Sequence, residues 1–199
     1  MRLWLKVRRA RASAIVILLT LGTIVLVGGI SVPMPGILSF HGLAVPISLL
    51  APLALSTTVG YGLNGGDDAL ESVAVRRVAL LDTAYAVTAA LVMLAAGVAL
   101  QSMGLAALGY GAGRNALGFV GLVLVARRAV GGHAATLLPA AISLFAAVLG
   151  ADAGGDARWW AWMVSAHDEP RSWVFAAGLL CLGAVTASGF RLQRPRRAW

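Results

Sequence analysis

Acidic residues and lysine are scarce in this chain. Its 199 residues hold eight Asp plus Glu against sixteen Lys plus Arg, and charged residues make up 12% of the whole. A soluble domain carries about 25% charged residues, and a disordered chain is poor in apolar ones. With 59% hydrophobic residues, the chain fits neither class. The only lysine is Lys6, and it has no glycine-rich context. A GxxxxGK[ST] phosphate loop is therefore absent, and with it that route to ATP. No GxSxG nucleophile elbow and no HExxH zinc helix occurs, so an intramembrane enzyme has no evident nucleophile, base or metal cluster. The single Cys181 excludes an internal disulfide. His41, His133 and His167 are scattered, without metal-site spacing or the matched depth that a haem needs.

What is abundant is long apolar runs, and they define an integral membrane protein. The length suits one unit, a single transmembrane domain over 1–199. Spans of about 20 apolar residues cross roughly 30 Å of hydrocarbon. On that measure the pattern predicts six helices, at about 14–32, 40–60, 78–100, 105–126, 134–150 and 173–190. The first run follows a basic start, as in a secretory signal. It is long for a signal core and has no clear cleavage site, so it reads as an uncleaved span. Pro46 and Pro52 lie inside the second span and should kink or break it. Asn115 to Ala126 covers only about 18 Å of helix, so the fourth span must start near Leu105 and carry Arg114 inside it.

The cations mark the topology. Fifteen of the sixteen are Arg, which with the richness in Ala and Gly fits a high-GC bacterial coding bias. With six spans, one side holds Arg2, Lys6, Arg8, Arg9, Arg11, Arg76, Arg77, Arg127, Arg128, Arg191, Arg194, Arg196 and Arg197. The other holds Arg158 and Arg171. Retention of cations on the cytoplasmic side then places both termini in the cytoplasm, and explains the basic balance without nucleic acid.

Five features stand out. Residues 1–13 interleave cations with Leu3, Trp4, Leu5 and Val7, as in a short amphipathic helix on the membrane surface. The segment Asp67–Arg77 is acidic at its start and basic at its end, which suits a polar helix and its dipole. Such a helix between two spans is a contact element for a cytoplasmic partner. Arg114, with Asn115, is an ionisable residue in a span and so a functional candidate. It either lines a pathway or pairs with the outer segment at Asp168 or Glu169; Asp82 lies too near the inner surface to reach it. Trp159, Trp160, Trp162 and Met163 make an aromatic stripe before the last span, with Trp159 and Trp162 on one helix face. Finally, Gly22 and Gly29 in the first span and Gly109, Gly113, Gly118 and Gly121 in the fourth make thin faces suited to packing between subunits.

Taken together, this order resembles the six-span permease subunits of the second class of ABC exporters, in a small high-GC bacterial form. The resemblance rests on the elbow-like Leu3–Arg11, on LESVAVRRVALLD between spans two and three, on ARR after span four and on WW-x-W before span six. It implies an all-α fold with an outer helical hairpin before the last span. It also implies coupling to an ATPase through Glu71, Arg76, Arg77 and Asp82. Arg114, Asn115, Trp159, Trp160 and Trp162 would serve the pathway or outer gate. The chain would hold no cofactor; two separate ATPase subunits would bind ATP and Mg, and a second permease, identical or homologous, would complete the path. The substrate would be amphipathic or lipophilic: a peptide antibiotic, a drug or a lipid. The location would be the bacterial cytoplasmic membrane. The alternative is a non-transporting membrane anchor or accessory subunit for a cytoplasmic partner.

Overall fold

A computed structural model describes residues 2–34, 43–65, 78–152, 156–166 and 168–188. Glu71, Arg76 and Arg77, with the rest of the link at 66–77, lie outside the described residues. The structure is mostly helical. Helix α1 (Arg2–Val7) is followed by α2 (Ala10–Val27). Strands β1 (Ser31–Pro33) and β2 (Ala44–Pro46) come next. Then follow α3 (Ile47–Leu50), α4 (Leu53–Leu63), α5 (Val78–Ser102), α6 (Gly109–Val130), α7 (Gly132–Leu149) and α8 (Pro170–Ala187).

Four helices, α2, α5, α7 and α8, are long and apolar enough to cross a membrane. The other two expected spans are of different kinds. Helix α6 has 22 residues but carries Arg114, Arg127 and Arg128. The second span is broken into α3 and α4 around Ala51–Pro52, because Pro52 has no N–H to continue the ladder.

Several expectations need correction: the fourth span runs over Gly109–Val130 rather than 105–126, and among the described residues helix in the second begins at Ile47 rather than 40, after the strand Ala44–Pro46. The first span does not run to Val32. Helix α2 stops at Val27 before Gly28–Gly29, and the chain then forms a two-stranded antiparallel pair, with Ser31 opposite Pro46 and Pro33 opposite Ala44. Proline suits these strand ends because it cannot donate to a longer ladder. Nor is the segment before the last span a helical hairpin. Among the described residues, 156–166 is built from turns, with one bridge between Ala151 and Ala157.

The packing is inverted relative to a water-soluble bundle. Leu18, Leu26 and Val174 point outward at 69%, 82% and 72% exposure, whereas Ser13, Thr20, Ser56, Thr83, Arg114, Asn115 and Thr136 are buried. Large apolar side chains on the outside and polar ones on the inside are what a hydrocarbon solvent favours.

Helix α6 forms the centre. Every residue from Gly111 to Gly121 is buried, and the helix packs against α5, α7, α8, α3 and α4. Its glycines make this possible. A Cβ on Gly109 would lie 2.1 Å from the Gly97 carbonyl oxygen of α5, and one on Gly121 would lie 2.5 Å from the α8 backbone. The thin faces of the fourth span are thus used within the chain, not between subunits as the sequence suggested. Of the six glycines singled out in the sequence, Gly22 and Gly29 keep open space beside them.

Candidate functional site

Two buried polar centres sit at opposite ends of the bundle. The basal one lies where α1 meets α2. The chain turns there through Arg8 and Arg9, and Arg9 adopts a left-handed conformation (φ 53°). That turn sends Arg8 inward to 1% exposure and leaves Arg9 outside. Arg8 grips Asp82 of α5 with two bonds, Nε to Oδ1 at 2.8 Å and Nη2 to Oδ2 at 2.7 Å. Its Nη1 donates to the carbonyl of Leu63, the last residue of α4, at 3.0 Å. Trp4 Nε1 also donates to Asp82 Oδ1, at 3.1 Å, and the Trp4 ring stands edge-on to Tyr85. Tyr85 shares a hydrogen bond with Ser13 of α2. Arg127, near the end of α6, donates to the same Leu63 carbonyl at 3.0 Å. Glycine again permits the close approach: a Cβ on Gly62 would lie 2.4 Å from the Arg8 carbonyl oxygen.

One guanidinium therefore ties α1 to the two helix ends that flank the link at 66–77. Asp82 is occupied from inside the bundle by Arg8 and Trp4. It stands beside that link as a support for the helix ends rather than as a contact surface.

The distal centre is Arg114 with Asn115, both fully buried on α6. Arg114 donates to the carbonyls of Ala166 (Nη1, 2.8 Å) and Ser165 (Nη2, 3.2 Å), and through Nε to Asn115 Oδ1 at 3.2 Å. Asn115 Nδ2 donates to the carbonyls of Leu49 (2.9 Å) and Met163 (2.7 Å). Glu169 interacts electrostatically with the Arg114 guanidinium. Ser172 donates to Glu169 and shares a hydrogen bond with Ser165. Asp82 pairs at the other end of the bundle. The partners of Arg114 in the outer segment are chiefly backbone carbonyls rather than carboxylates.

These bonds explain why 156–166 is not a helix. A helix would commit the carbonyls of Met163, Ser165 and Ala166 to its own ladder. Here they turn to α6 instead, and side chains take over the accounting of buried backbone groups. The tryptophans divide accordingly. Trp162 is 6% exposed and lies against Phe119 with ring centroids 5.9 Å apart, whereas Trp159 is 65% exposed and touches Phe175. Trp160 is half-buried against Phe145. Trp159 and Trp162 therefore do not share a face.

Arg114 and Asn115 spend their donors chiefly on backbone carbonyls. Among the described residues, no group of three or more His, Cys, Asp or Glu converges where a metal ion would sit. What the distal centre does is hold the turn segment against α6 and the break of the second span. Asn115→Leu leaves two buried carbonyls without that donor, each at about 1 to 3 kcal/mol. We expect it to destabilise the protein by about 2 kcal/mol or more in reversible unfolding from mixed micelles. A loss below about 0.5 kcal/mol would show that these carbonyls find other donors.

No family model matches this chain, and neither a curated protein nor a solved structure is significantly similar to it.

Proposed function

We propose that the chain is a permease subunit of an ATP-driven exporter, with six spans and both termini in the cytoplasm. The supporting observation is the basal clamp. A link that receives a push from a partner needs rigid helix ends on both sides. Arg8 bonds both to Leu63 of α4 and to Asp82 of α5, the helices on either side of 66–77. Motion of the link would then carry α1 and the first span with it. Because α6 fills the centre of one chain, the path would run between two such subunits, over two ATPases that bind ATP and Mg. The substrate would be amphipathic or lipophilic. In this reading Glu71, Arg76 and Arg77 contact the ATPase and Asp82 positions the helix end behind them.

The test is purification of the tagged chain from its native membrane. A stoichiometric ATPase is expected, and Glu71→Arg should weaken its binding and its stimulation while the helices stay folded. Glu71 lies in a polar segment, so its change should cost little folding energy. If both measurements are unaltered, the segment has no coupling role. A Cys placed at Leu70, in a Cys181→Ala background, should resist an impermeant reagent applied from outside; labelling there would reverse the topology.

A second reading, an accessory membrane anchor, is favoured by the distal centre. Arg114 and Asn115 spend their donors on carbonyls inside the fold, which suits a protein that holds rather than moves. Recovery with a cytoplasmic partner that has no ATPase activity would select it.

A further inference from the structure

We infer that the basal end carries a binding surface for anionic phospholipid headgroups, built from Lys6, Arg9, Arg11 and Arg128. The inference rests on residence in a membrane and not on the transport reading.

Among the described residues, charge is divided sharply along the bundle. The described acids are Asp82, Asp152, Asp156, Asp168 and Glu169. Four of them follow α7 or precede α8, at the distal end. Asp82 alone is basal, and Arg8 neutralises it. Arg8 and Arg127 converge on one carbonyl, that of Leu63, so the α1–α2 turn and the end of α6 meet at this end. Around that point Lys6, Arg9, Arg11 and Arg128 are exposed. Among the described residues, none of these four side chains has a hydrogen bond or ion pair.

Depth identifies the partner. The left-handed turn at Arg9 splits the basic run, sending Arg8 into the protein and keeping Arg9 on the surface. Exposed Val7 lies beside Lys6 and Arg9, and exposed Ile15 follows Arg11 by about one helical turn, roughly 6 Å. Leu18 and Leu19, a turn further on, are also exposed. Cations that lead straight into an apolar outward face sit at the level of the lipid phosphates, not on a surface facing bulk water. A basic cluster at this level attracts anionic lipid, and each cation near the surface strengthens it by up to about five-fold. Arg also matches the phosphate group through its planar pair of donors.

The test uses the full chain in bilayers that contain trace spin-labelled phosphatidylglycerol or phosphatidylcholine. The unaltered protein is expected to prefer phosphatidylglycerol by roughly ten-fold at low salt, with the preference fading at high salt. The variant Lys6→Gln/Arg9→Asn/Arg11→Gln leaves the Arg8 clamp in place, and Asn tolerates the left-handed conformation at position 9. It should bring the ratio close to one, with helical content unchanged. Arg171→Gln, which removes an exposed cation at the distal end, should leave the ratio alone. If the triple variant does not fold, Lys6→Gln and Arg11→Gln singly should each lower the ratio. Free glycerol phosphate should not compete at millimolar concentration. Equal affinity of the unaltered protein for the two lipids would overturn the inference, as would a preference that survives all of these changes. So would competition by free glycerol phosphate, or binding of soluble polyglutamate without any lipid preference, which would assign the surface to a soluble anion or an acidic protein.

Discussion

Replacing Arg8 with alanine is expected to destabilise the protein by about 3 to 5 kcal/mol, the range for breaking a buried ion pair from one side. The carboxylate of Asp82 would stay where it is, with Trp4 Nε1 still donating to it but without the two-pronged grip of the guanidinium. Uncompensated charge in a poorly polarisable surrounding is the costly species, not the missing pair. Asp82→Leu should fall in the same range, because Arg8 would then keep the Leu63 carbonyl and lose its counter-charge. The combination Arg8→Met with Asp82→Leu separates the causes. Removing both charges abolishes the penalty for an unpaired ion, while Trp4 Nε1 and the Leu63 carbonyl each lose a partner at about 1 kcal/mol. The double variant should therefore be clearly more stable than either single one. Unfolding by a denaturing detergent, followed by circular dichroism, measures all three. A loss below about 1 kcal/mol for Arg8→Ala would mean that the pair behaves as a surface pair in water. The folded double variant also bears on function. If the clamp transmits force from the link, stimulation of the partner ATPase should fall in a protein whose helices are intact.

Much of the fold was legible because long apolar helices obey a local rule. Helix α5 occupies 78–102 against an expected 78–100, and α7 and α8 lie within three residues of expectation at each end. The break at Pro52 was legible too, since a missing N–H is a property of one residue. What was not legible depended on partners far away in sequence. Arg8 and Asp82 are 74 positions apart, and a basic run beside a membrane reads as five equivalent cations. The available signal was modest: Trp4 and Arg8 are spaced to share one helix face, and Asp82 is a lone acid in an apolar helix. The turn segment at 156–166 was misread as a helix for a related reason. Its backbone is organised by Arg114 and Asn115, about 50 residues earlier, and no local propensity reports that. Likewise, the glycines of α6 announced close contacts but not with whom; only the packing shows that α5, α8 and Trp162 take them up.

The second large effect is expected at Trp162, and it should be sharply unequal to that at Trp159. Trp162→Ala should cost about 3 to 5 kcal/mol, as truncation of a buried aromatic leaves a cavity as well as lost burial. Trp159, two-thirds exposed, should cost less than about 1 kcal/mol when cut to alanine. The reason lies in a specific fit. The Trp162 ring occupies the space above Gly118, where a Cβ would come within 2.1 Å of ring atom Cη2, and it leans on Phe119. Gly118→Ala should accordingly be destabilising by about 1 to 3 kcal/mol through overpacking. The fit makes the two positions interdependent. In the Trp162→Ala background the obstructing ring is gone, so Gly118→Ala should cost almost nothing, which a double-mutant cycle measures directly. An interaction energy of about 1 kcal/mol or more is expected; additive losses would mean that the ring does not rest on the glycine. A separate measurement decides what the aromatic segment does. With Trp162 committed to the core, an outer gate would have to use Trp159 and half-buried Trp160. Trp159→Ala should then change substrate export per assembled complex without changing stability, and an unaltered normalised rate would leave Trp159 the role of an interfacial anchor.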